Sequence, residues 1–534
     1  MRAPRARERA EMFGSLRRRL WALQPPLRDL GWDGAELALE FAAGFAGSIA
    51  LDVDGVHFAE LPVRDARARF TFPFAPSACE AFDLLPRASR GGPALARAPL
   101  RVQPGRRGLR AARTPPPMPA ASGAEARVPA FGTEIGPVEV AIVVPVYDAA
   151  ALVERCLASV FAHTTGRALL IVIDDASSDP AIAPLLARVA GIERVRVLRN
   201  ETNRGFTATA NRGMVEAGRA DVVLLNADTE VGPNWLQGLR RAAYSAVDVA
   251  TATAVSDNAG AFSVPELEQV NPLPACWSFE DCARALWQHA GLAYPELPTG
   301  NGFCMYVRRS AFDAVGLFDE AAFPQGYGEE NDFCQRAWRH DLRHLVAGNV
   351  LVRHARSASF GDQRRVALGQ AGMAVLRERW PDYEADVGHQ LFSFERRVLD
   401  WRVRRIYAQA RAGNAPRPRV LWVGAGAPEW GDAEVWNLRA NGDRNELVFD
   451  GRVIDANTWV AHDPEPSYRA LWDWLQAYAF ERLVVPEYTE SAAEILARLV
   501  DLPAARVAQP FAPSAREALD RAESTLRSFP DLPA

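Results

Sequence analysis

Tyr147, the pair Asp174 and Asp175, the turn at Asn203 and Arg204, Asn226 with Asp228 two residues on, the acidic run Glu329, Glu330 and Asp332, and His354 have the types and spacing to do chemistry. A nucleoside diphosphate bridged by a divalent cation needs hard oxygen ligands for the metal, polar contacts for base and ribose, and a flat surface for stacking. The carboxylates, the Asn and Arg side chains and the tyrosine supply those three kinds of contact. Each residue alone also has a plain structural reading. A single Asp in a loop is most often a turn or cap residue, and Ser177 and Asp179 could equally shape an Asx or ST turn. An acid in a first helical turn can serve only the helix dipole, and a lone His at a strand end is usually structural.

The grouping becomes informative through the elements that must hold it. "VEVAIVVPVY" ends at Tyr147 and is a continuous apolar run, as expected of a central parallel strand buried on both faces. Leu152, Val153, Cys156, Leu157, Val160 and Phe161 then recur at helical spacing. "ALLIVIDDASSD", "RVRVLRNETNRG" and "ADVVLLNADTEV" repeat the plan of strand, polar loop and helix. Alternation of this kind predicts a doubly wound, mostly parallel α/β sheet whose ligands bind beyond the carboxyl ends of the strands. Tyr147, Asp174, Asp175, Asn203, Arg204, Asn226 and Asp228 all fall at those ends and are expected to converge on one crevice.

Taken in order, "VVPVYDAAALVERCLASV", "IVIDDASSD", "NRGFTATANRG", "LLNADTEV", "TGNGFCMYVRRSAF", "GLFDE", "GYGEENDFCQRAW" and "LVRHARSASF" resemble a family 2 glycosyltransferase. These are inverting, nucleotide-sugar-dependent enzymes with the GT-A fold. The resemblance covers under half the chain. It implies that Pro145 and Tyr147 begin the nucleotide pocket, that Asp174 and Asp175 reach base and ribose, and that Arg204 contacts the nucleotide. Asp228 matches the last acid of the D-x-D motif that holds Mg²⁺ or Mn²⁺ against the two phosphates. Asn226 replaces the first acid of that motif, a version familiar among rhamnosyltransferase-like members. His354 matches a histidine that in some members approaches the metal or diphosphate. Alignment on Asp332 places Glu330 at the catalytic base, with Glu329 as alternative base or acceptor ligand. Gly300 and Gly302 would let backbone approach sugar or acceptor, and Gly302 with Asp332 marks that side of the site. Trp277, Trp287 and Trp338 could stack on sugar faces or belong to the core. The donor would be a UDP, GDP or dTDP sugar and the acceptor a hydroxyl of a glycan or lipid-linked glycan, in bacterial surface polysaccharide synthesis. With Asn226 in place of an acid, a non-catalytic sugar-nucleotide or glycan-binding module remains the alternative. A nucleotidyltransferase would carry a Gly-rich basic loop after the first strand, which "VVPVYDAAALVE" lacks.

The bulk properties bound the rest. At 534 residues the chain should form about three or four domains. Its 49% hydrophobic and 24% charged residues describe a globular protein. A net charge of -5 gives no reason to expect nucleic-acid binding. Lysine is absent, so every basic chain is Arg or His, a bias typical of GC-rich bacterial coding. Six scattered cysteines without C-x-x-C pairs read as buried apolar groups in a reducing cytoplasm. No apolar stretch reaches the roughly 20 residues of a transmembrane helix. The expected location is therefore cytoplasmic, with peripheral attachment to the inner membrane face hinted at only by Arg17, Arg18 and Arg19.

Residues 1–100 are expected to form a β-rich accessory region with a hairpin at Asp54-Gly55, 101–137 a Pro/Arg-rich linker and 138–395 the GT-A domain. Residues 396–417 read as a second linker and 418–534 as a small α/β domain of unknown role. Within the last, Gly424, Gly426 and Gly431 miss the G-x-G-x-x-G spacing and Pro428 sits where a helix should open, so turn glycines are expected there.

Overall fold

The structure, a computed structural model, describes residues 23–32, 36–53, 55–71, 82–102, 110–111, 139–165, 167–291, 294–355, 362–424, 426–441, 444–458, 478–486 and 504–507. Two compact units are present. Among the described residues the first contains eight strands in two antiparallel sheets. β1 (Leu27–Trp32), β2 (Glu36–Phe41) and β5 (Arg67–Thr71) form one, in the order β1-β2-β5. β3 (Gly47–Val53), β4 (Val56–Val63), β6 (Phe82–Arg87), β7 (Leu100–Val102) and β8 (Arg110–Ala111) form the other, in the order β4-β3-β6-β7-β8. Alternating apolar residues such as Leu37, Leu39, Ile49, Leu51 and Leu84 fill one core between them. The hairpin at Gly55 is as expected, with Val53 opposite Val56.

The stretch read as a linker at 396–417 is corrected. Helix Phe394–Gln409 belongs to this first unit: Val398 and Trp401 enter its core, and Trp401 Nε1 donates to Val53 O at 3.0 Å. The expected linker at 101–137 begins inside strand β7, and its remainder from 112 lies outside the described residues, as does the Arg-rich start.

The second unit is built on the expected doubly wound, mostly parallel sheet. β9 (Val140–Val146), β10 (Ala168–Asp174), β11 (Val195–Arg199), β12 (Asp221–Leu225), β13 (Thr229–Val231), β14 (Val249–Val255), β15 (Cys304–Val307) and β16 (Arg343–His354) take the order β11-β10-β9-β12-β15-β14-β16-β13. The β9–β10, β10–β11, β9–β12 and β14–β16 pairs are parallel; β15 and β13 run antiparallel to their neighbours. Val143, Ile171, Ile173, Val222 and Leu224 are buried with Ala210 and Met214 of helix Phe206–Glu216, which explains the uninterrupted apolar runs.

The same unit carries a second sheet, β17 (Arg419–Val423), β18 (Glu434–Asn441), β19 (Arg444–Phe449), β20 (Arg452–Thr458), β21 (Arg482–Pro486) and β22 (Ala504–Val507), in the order β20-β19-β18-β17-β21-β22. It is held to helix Phe279–His289 by the ion pair Arg284–Glu481 at 3.0 Å and by Trp287 Nε1 donating to Ala479 O at 3.0 Å. Gly424 and Gly426 follow β17 at positive φ with no helix opening after them, so they are turn glycines. Residues 487–503, between β21 and β22, lie outside the described residues. Among the described residues no helix is long and apolar enough to cross a membrane.

Candidate active site

A cleft of about 320 Å³ opens at the carboxyl ends of β9, β10 and β12. The sheet order explains its place: the chain leaves β9 in one direction through β10 and β11 and in the other through β12, so the loops after these strands diverge and leave a crevice.

The wall after β9 is shaped by an unusual turn. Asp148 and Ala149 both adopt left-handed conformations, at φ 57° and 58°. Such residues cost of order 1 kcal/mol each and need local compensation. The Asp148 carboxylate provides it by accepting from Ser178 N at 2.6 Å and Asp179 N at 2.8 Å, while Asp148 N donates to Ser177 Oγ at 2.9 Å. Asp179 Oδ2 in turn accepts from Ala150 N at the start of helix Ala150–His163. Ser177 and Asp179 thus bind two loops together, and Pro145, Tyr147 and Asp148 line the cleft.

Asp174 and Asp175 part ways. Asp174 is buried, ion-paired to Arg199 and accepting from Ser177 N at 2.8 Å, and it does not line the cleft. The expectation that it reaches base and ribose is corrected, because neighbouring residues of an extended chain face opposite ways. Asp175 lines the cleft, yet its oxygens are taken: Oδ1 accepts from Asn200 Nδ2 at 2.6 Å and Arg204 N at 2.8 Å, and Oδ2 from Gly205 N at 2.9 Å. It builds the Asn203–Gly205 turn. Gly205 is required there, at φ 83° with a Cβ that would lie 2.3 Å from Pro324 O. The Arg204 side chain is exposed and is not among the lining residues, whereas Asn203 is.

On the next wall, Asn226 and Asp228 follow β12. Asn226 N donates to Phe303 O at 2.9 Å, and its Oδ1 is buried without a hydrogen-bond partner. Asp228 Oδ1 lies 3.3 Å from His354 Nε2, because Thr229 of β13 is paired with His354 at the end of β16. His354 Nδ1 is 3.1 Å from Asn258 O, and a carbonyl can only accept, so Nδ1 carries hydrogen. Nε2 is thereby turned toward Asp228. Phe303 stacks on the ring at 5.2 Å. A carboxylate oxygen and an imidazole nitrogen this close fit the ligation of one divalent cation. Among the described residues no set of three or more His, Cys, Asp and Glu side chains gathers as a metal cage. A cation here would therefore take its remaining ligands from water or from a bound ligand's oxygens.

Opposite stand Glu329 and Glu330, which open helix Glu329–Trp338 and line the cleft together with Gly302. Burial pushes Glu329 well above the ordinary carboxyl range, and the neighbouring Glu330 charge adds to this. Burial also raises Glu330, whose Oε2 is buried without a hydrogen-bond partner. Asp332 does not line the cleft, and its expected place on the acceptor or sugar side is corrected. Its Oδ2 accepts from Arg336 Nε at 2.9 Å and its Oδ1 from Arg379 Nη1 and Trp380 Nε1 at 3.1 Å each, so it fixes helix Glu329–Trp338 to helix Asp362–Arg379. Gly300 is packed against Met305 and does not line the cleft, whereas Gly302 does. Trp277, Trp287 and Trp338 are likewise not lining residues; Trp338 stacks on His344.

Phe206, Thr209, Asn301, Gln325 and Tyr327 line the cleft without having been singled out in the sequence. Asn301 and Tyr327 lie inside the quoted motifs "TGNGF" and "GYGEE", where every small or polar residue was an available signal. Phe206 and Thr209 lie inside the quoted motif "NRGFTATANRG", at the start of helix Phe206–Glu216.

Residues 141–316 match the model of the family described as Glycosyl transferase family 2. No curated protein matches the chain. Solved structures similar to it include GalNAc-T7 with UDP, GalNAc and Mn²⁺, at 17% identity and a TM-score of 0.35. That match covers 46% of this chain and 49% of the other, about half its length. Another is the mannosyltransferase PcManGT from Pyrobaculum calidifontis in complex with GDP-Man and Mn²⁺, at 15% identity and a TM-score of 0.35, covering 51% of this chain and 76% of that one.

Proposed function

We propose that the chain is an inverting glycosyltransferase that moves a sugar from a nucleoside-diphosphate donor to a hydroxyl of a glycan or lipid-linked glycan. The observation that carries this reading is the distribution of charge in the cleft. Asp148, Asp175, Asp228, Glu329 and Glu330 line it, and no Arg is among the described residues that line it. A diphosphate entering such a site needs a cation brought with it. Asp228 and His354 are the residues that would hold Mg²⁺ or Mn²⁺, with the orphaned Asn226 Oδ1 beside them in the same cleft. When bound, the ion offsets the diphosphate charge and stabilises the leaving group.

This chain's own residues supply the rest. Tyr147 packs on the base, and Pro145 and Asn203 border it. Asp175 keeps the Asn203–Gly205 turn in place through its three hydrogen bonds. Gly302 leaves room for sugar or acceptor next to Glu330. Glu330 takes the acceptor's proton as its oxygen attacks the anomeric carbon from the face opposite the leaving group, so configuration inverts in one displacement. Asn226 in place of a first acid favours a deoxysugar donor such as dTDP-rhamnose, and with it a role in bacterial surface polysaccharide.

The test is titration of UDP, GDP and dTDP into the purified chain with and without Mn²⁺, followed by release of nucleoside diphosphate from the corresponding sugar nucleotides. One nucleotide bound tightly only with Mn²⁺, and turned over as its sugar conjugate, is the expected result. No binding of any of the three overturns the reading. Binding without turnover across a panel of acceptors would leave a sugar-nucleotide-binding module instead.

A further inference from the structure

Helices Asp362–Arg379 and Tyr383–Leu391 lie outside residues 141–316, yet they pack on the loop that leads into Glu329 and Glu330. Gly372 marks the closest approach. A Cβ there would overlap the Tyr327 carbonyl oxygen and lie 2.9 Å from its carbon, so the helix rests directly on the backbone of a residue that lines the cleft. Gly369, three residues earlier on the same helix, has nothing within 4 Å of its own Cβ position. One glycine is needed for contact and the other is not.

The loop so covered has an unusual backbone. Gly326, Tyr327 and Gly328 stand in succession at φ 86°, 67° and 148°. A tyrosine at positive φ is rare and persists only where its surroundings hold it. A Cβ at Gly328 would lie 2.5 Å from the Phe323 ring, and Phe323 packs on Leu376 and Tyr383. The same helices bind the flanks of the loop. Arg379 Nη1 and Trp380 Nε1 donate to Asp332 Oδ1 at 3.1 Å each, and the Tyr383 hydroxyl donates to Thr299 Oγ1 at 3.3 Å. Thr299 Oγ1 also accepts from Asn331 Nδ2 at 2.6 Å, next to Glu330.

The start of the loop is fastened independently. Thr207 Oγ1 donates to Phe323 O, and Asn211 exchanges hydrogen bonds with the Phe318 backbone at 2.9 and 3.1 Å. These anchors belong to helix Phe206–Glu216, which continues the wall formed by the Asn203–Gly205 turn. Residues 323–330 thus bridge the nucleotide wall and Glu330, held at one end by helix Phe206–Glu216 and in the middle by Gly372.

We propose that the helix pair 362–391 is a brace for sugar transfer and Gly372 its positioning residue: seated on the Tyr327 carbonyl, it sets the distance between the nucleotide wall and Glu330. The catalytic consequence rests on the transferase reading; the seating of the loop does not. In transfer the acceptor oxygen bonds to the anomeric carbon while that carbon's bond to the diphosphate oxygen breaks. The electron pair leaves with the nucleoside diphosphate, and the hydroxyl proton passes to Glu330. Donor and base must be in place together, so a loop displaced by about 1 Å lowers turnover about 100-fold. Nucleotide affinity depends on the separately fastened wall and is unchanged.

The test compares Gly372→Ala with Gly369→Ala in the full chain. The first readout, amide hydrogen exchange followed by mass spectrometry, needs no substrate. Gly372→Ala is expected to raise exchange across residues 324–333 and to leave 199–212 as in the wild type, while Gly369→Ala matches the wild type in both. The second is Mn²⁺-dependent nucleotide affinity beside nucleoside-diphosphate release from the donor panel. Gly372→Ala is expected to keep the affinity and lower kcat about 100-fold; Gly369→Ala keeps both. Equal losses of affinity and kcat in Gly372→Ala, or wild-type exchange together with wild-type turnover, overturn the proposal. Should Gly372→Ala not fold, Tyr383→Phe keeps the ring against Phe323 and loses only the bond to Thr299. It is expected to lower kcat about tenfold at unchanged nucleotide affinity, and an unchanged kcat overturns the brace. A wild type that turns over no donor while exchange behaves as expected supports the seating of the loop and sinks the transferase reading alone.

Discussion

Strand β16 carries a histidine near each end, and the two are used differently. His344 is buried: Nε2 lies 2.9 Å from Cys334 O and Nδ1 2.8 Å from Thr251 Oγ1, so both nitrogens are spent inside the protein. His354 spends Nδ1 on Asn258 O and presents Nε2 to Asp228 at the cleft. The carboxylates divide the same way. Asp174, Asp175 and Asp332 have their oxygens engaged by Arg199, by the Asn203–Gly205 turn and by Arg336, Arg379 and Trp380. Glu330 keeps an oxygen with no partner. A buried polar atom left unpaired costs about 1–3 kcal/mol. Groups with all valences used are therefore the frame, and those with a valence to spare at the cleft are the ones available to a ligand.

The sharpest way to break this comparison is to remove a group from each class. Asp228→Ala should cost at least about 100-fold in Mn²⁺-dependent nucleotide affinity, since even outer groups around a metal are worth 10–100-fold. Unfolding in urea should change by no more than about 0.5 kcal/mol, because Asp228 is half-buried and faces the cleft. Asp175→Ala should do the reverse. It strands Arg204 N and Gly205 N and leaves Asn200 Nδ2 with Thr209 Oγ1 alone, and the expected loss is about 3 kcal/mol of stability, measured as the shift in urea midpoint. A stable Asp175→Ala protein that no longer binds nucleotide would show Asp175 to be a ligand contact, and the division would fail at that residue.

Much of this was legible in the sequence, for identifiable reasons. β9, β10 and β12 are buried on both faces, so their apolar runs announced them, and the polar residues after each run fell into one crevice. Which of two adjacent acids faces the cleft was not legible, because it depends on strand register and on a distant arginine such as Arg199. Asp332 looked like part of an acidic cluster until Arg379 and Trp380, nearly 50 residues on, proved to hold it. Helix Phe394–Gln409 read as a linker because its apolar face meets β-strands some 350 residues earlier in the chain. Asp148 was passed over because its value lies in a left-handed turn, which the residue type permits but does not announce.

The smallest effect at neutral pH belongs to His344, and it sharpens the comparison through its sign. Burial lowers its pKa from 6.5 to about 4, so the folded protein resists protonation that the unfolded chain accepts. Stability from this residue is complete above about pH 6.5 and falls as pH drops toward 4, by about 3 kcal/mol in total. Glu329 acts oppositely: its pKa is raised on folding, so its contribution is complete below the ordinary carboxyl value and fades as pH rises through its folded value. The two slopes offset each other across mildly acidic pH, and single substitutions separate them. His344→Asn, which cannot titrate there, should show a flatter loss of stability between pH 6.5 and 4.5 in urea unfolding than the wild type. Glu329→Gln should show a steeper one, having lost the opposing term. Parallel curves for wild type and His344→Asn would mean that the imidazole gains its proton without breaking its bonds to Thr251 and Cys334, and His344 would then not belong to the frame.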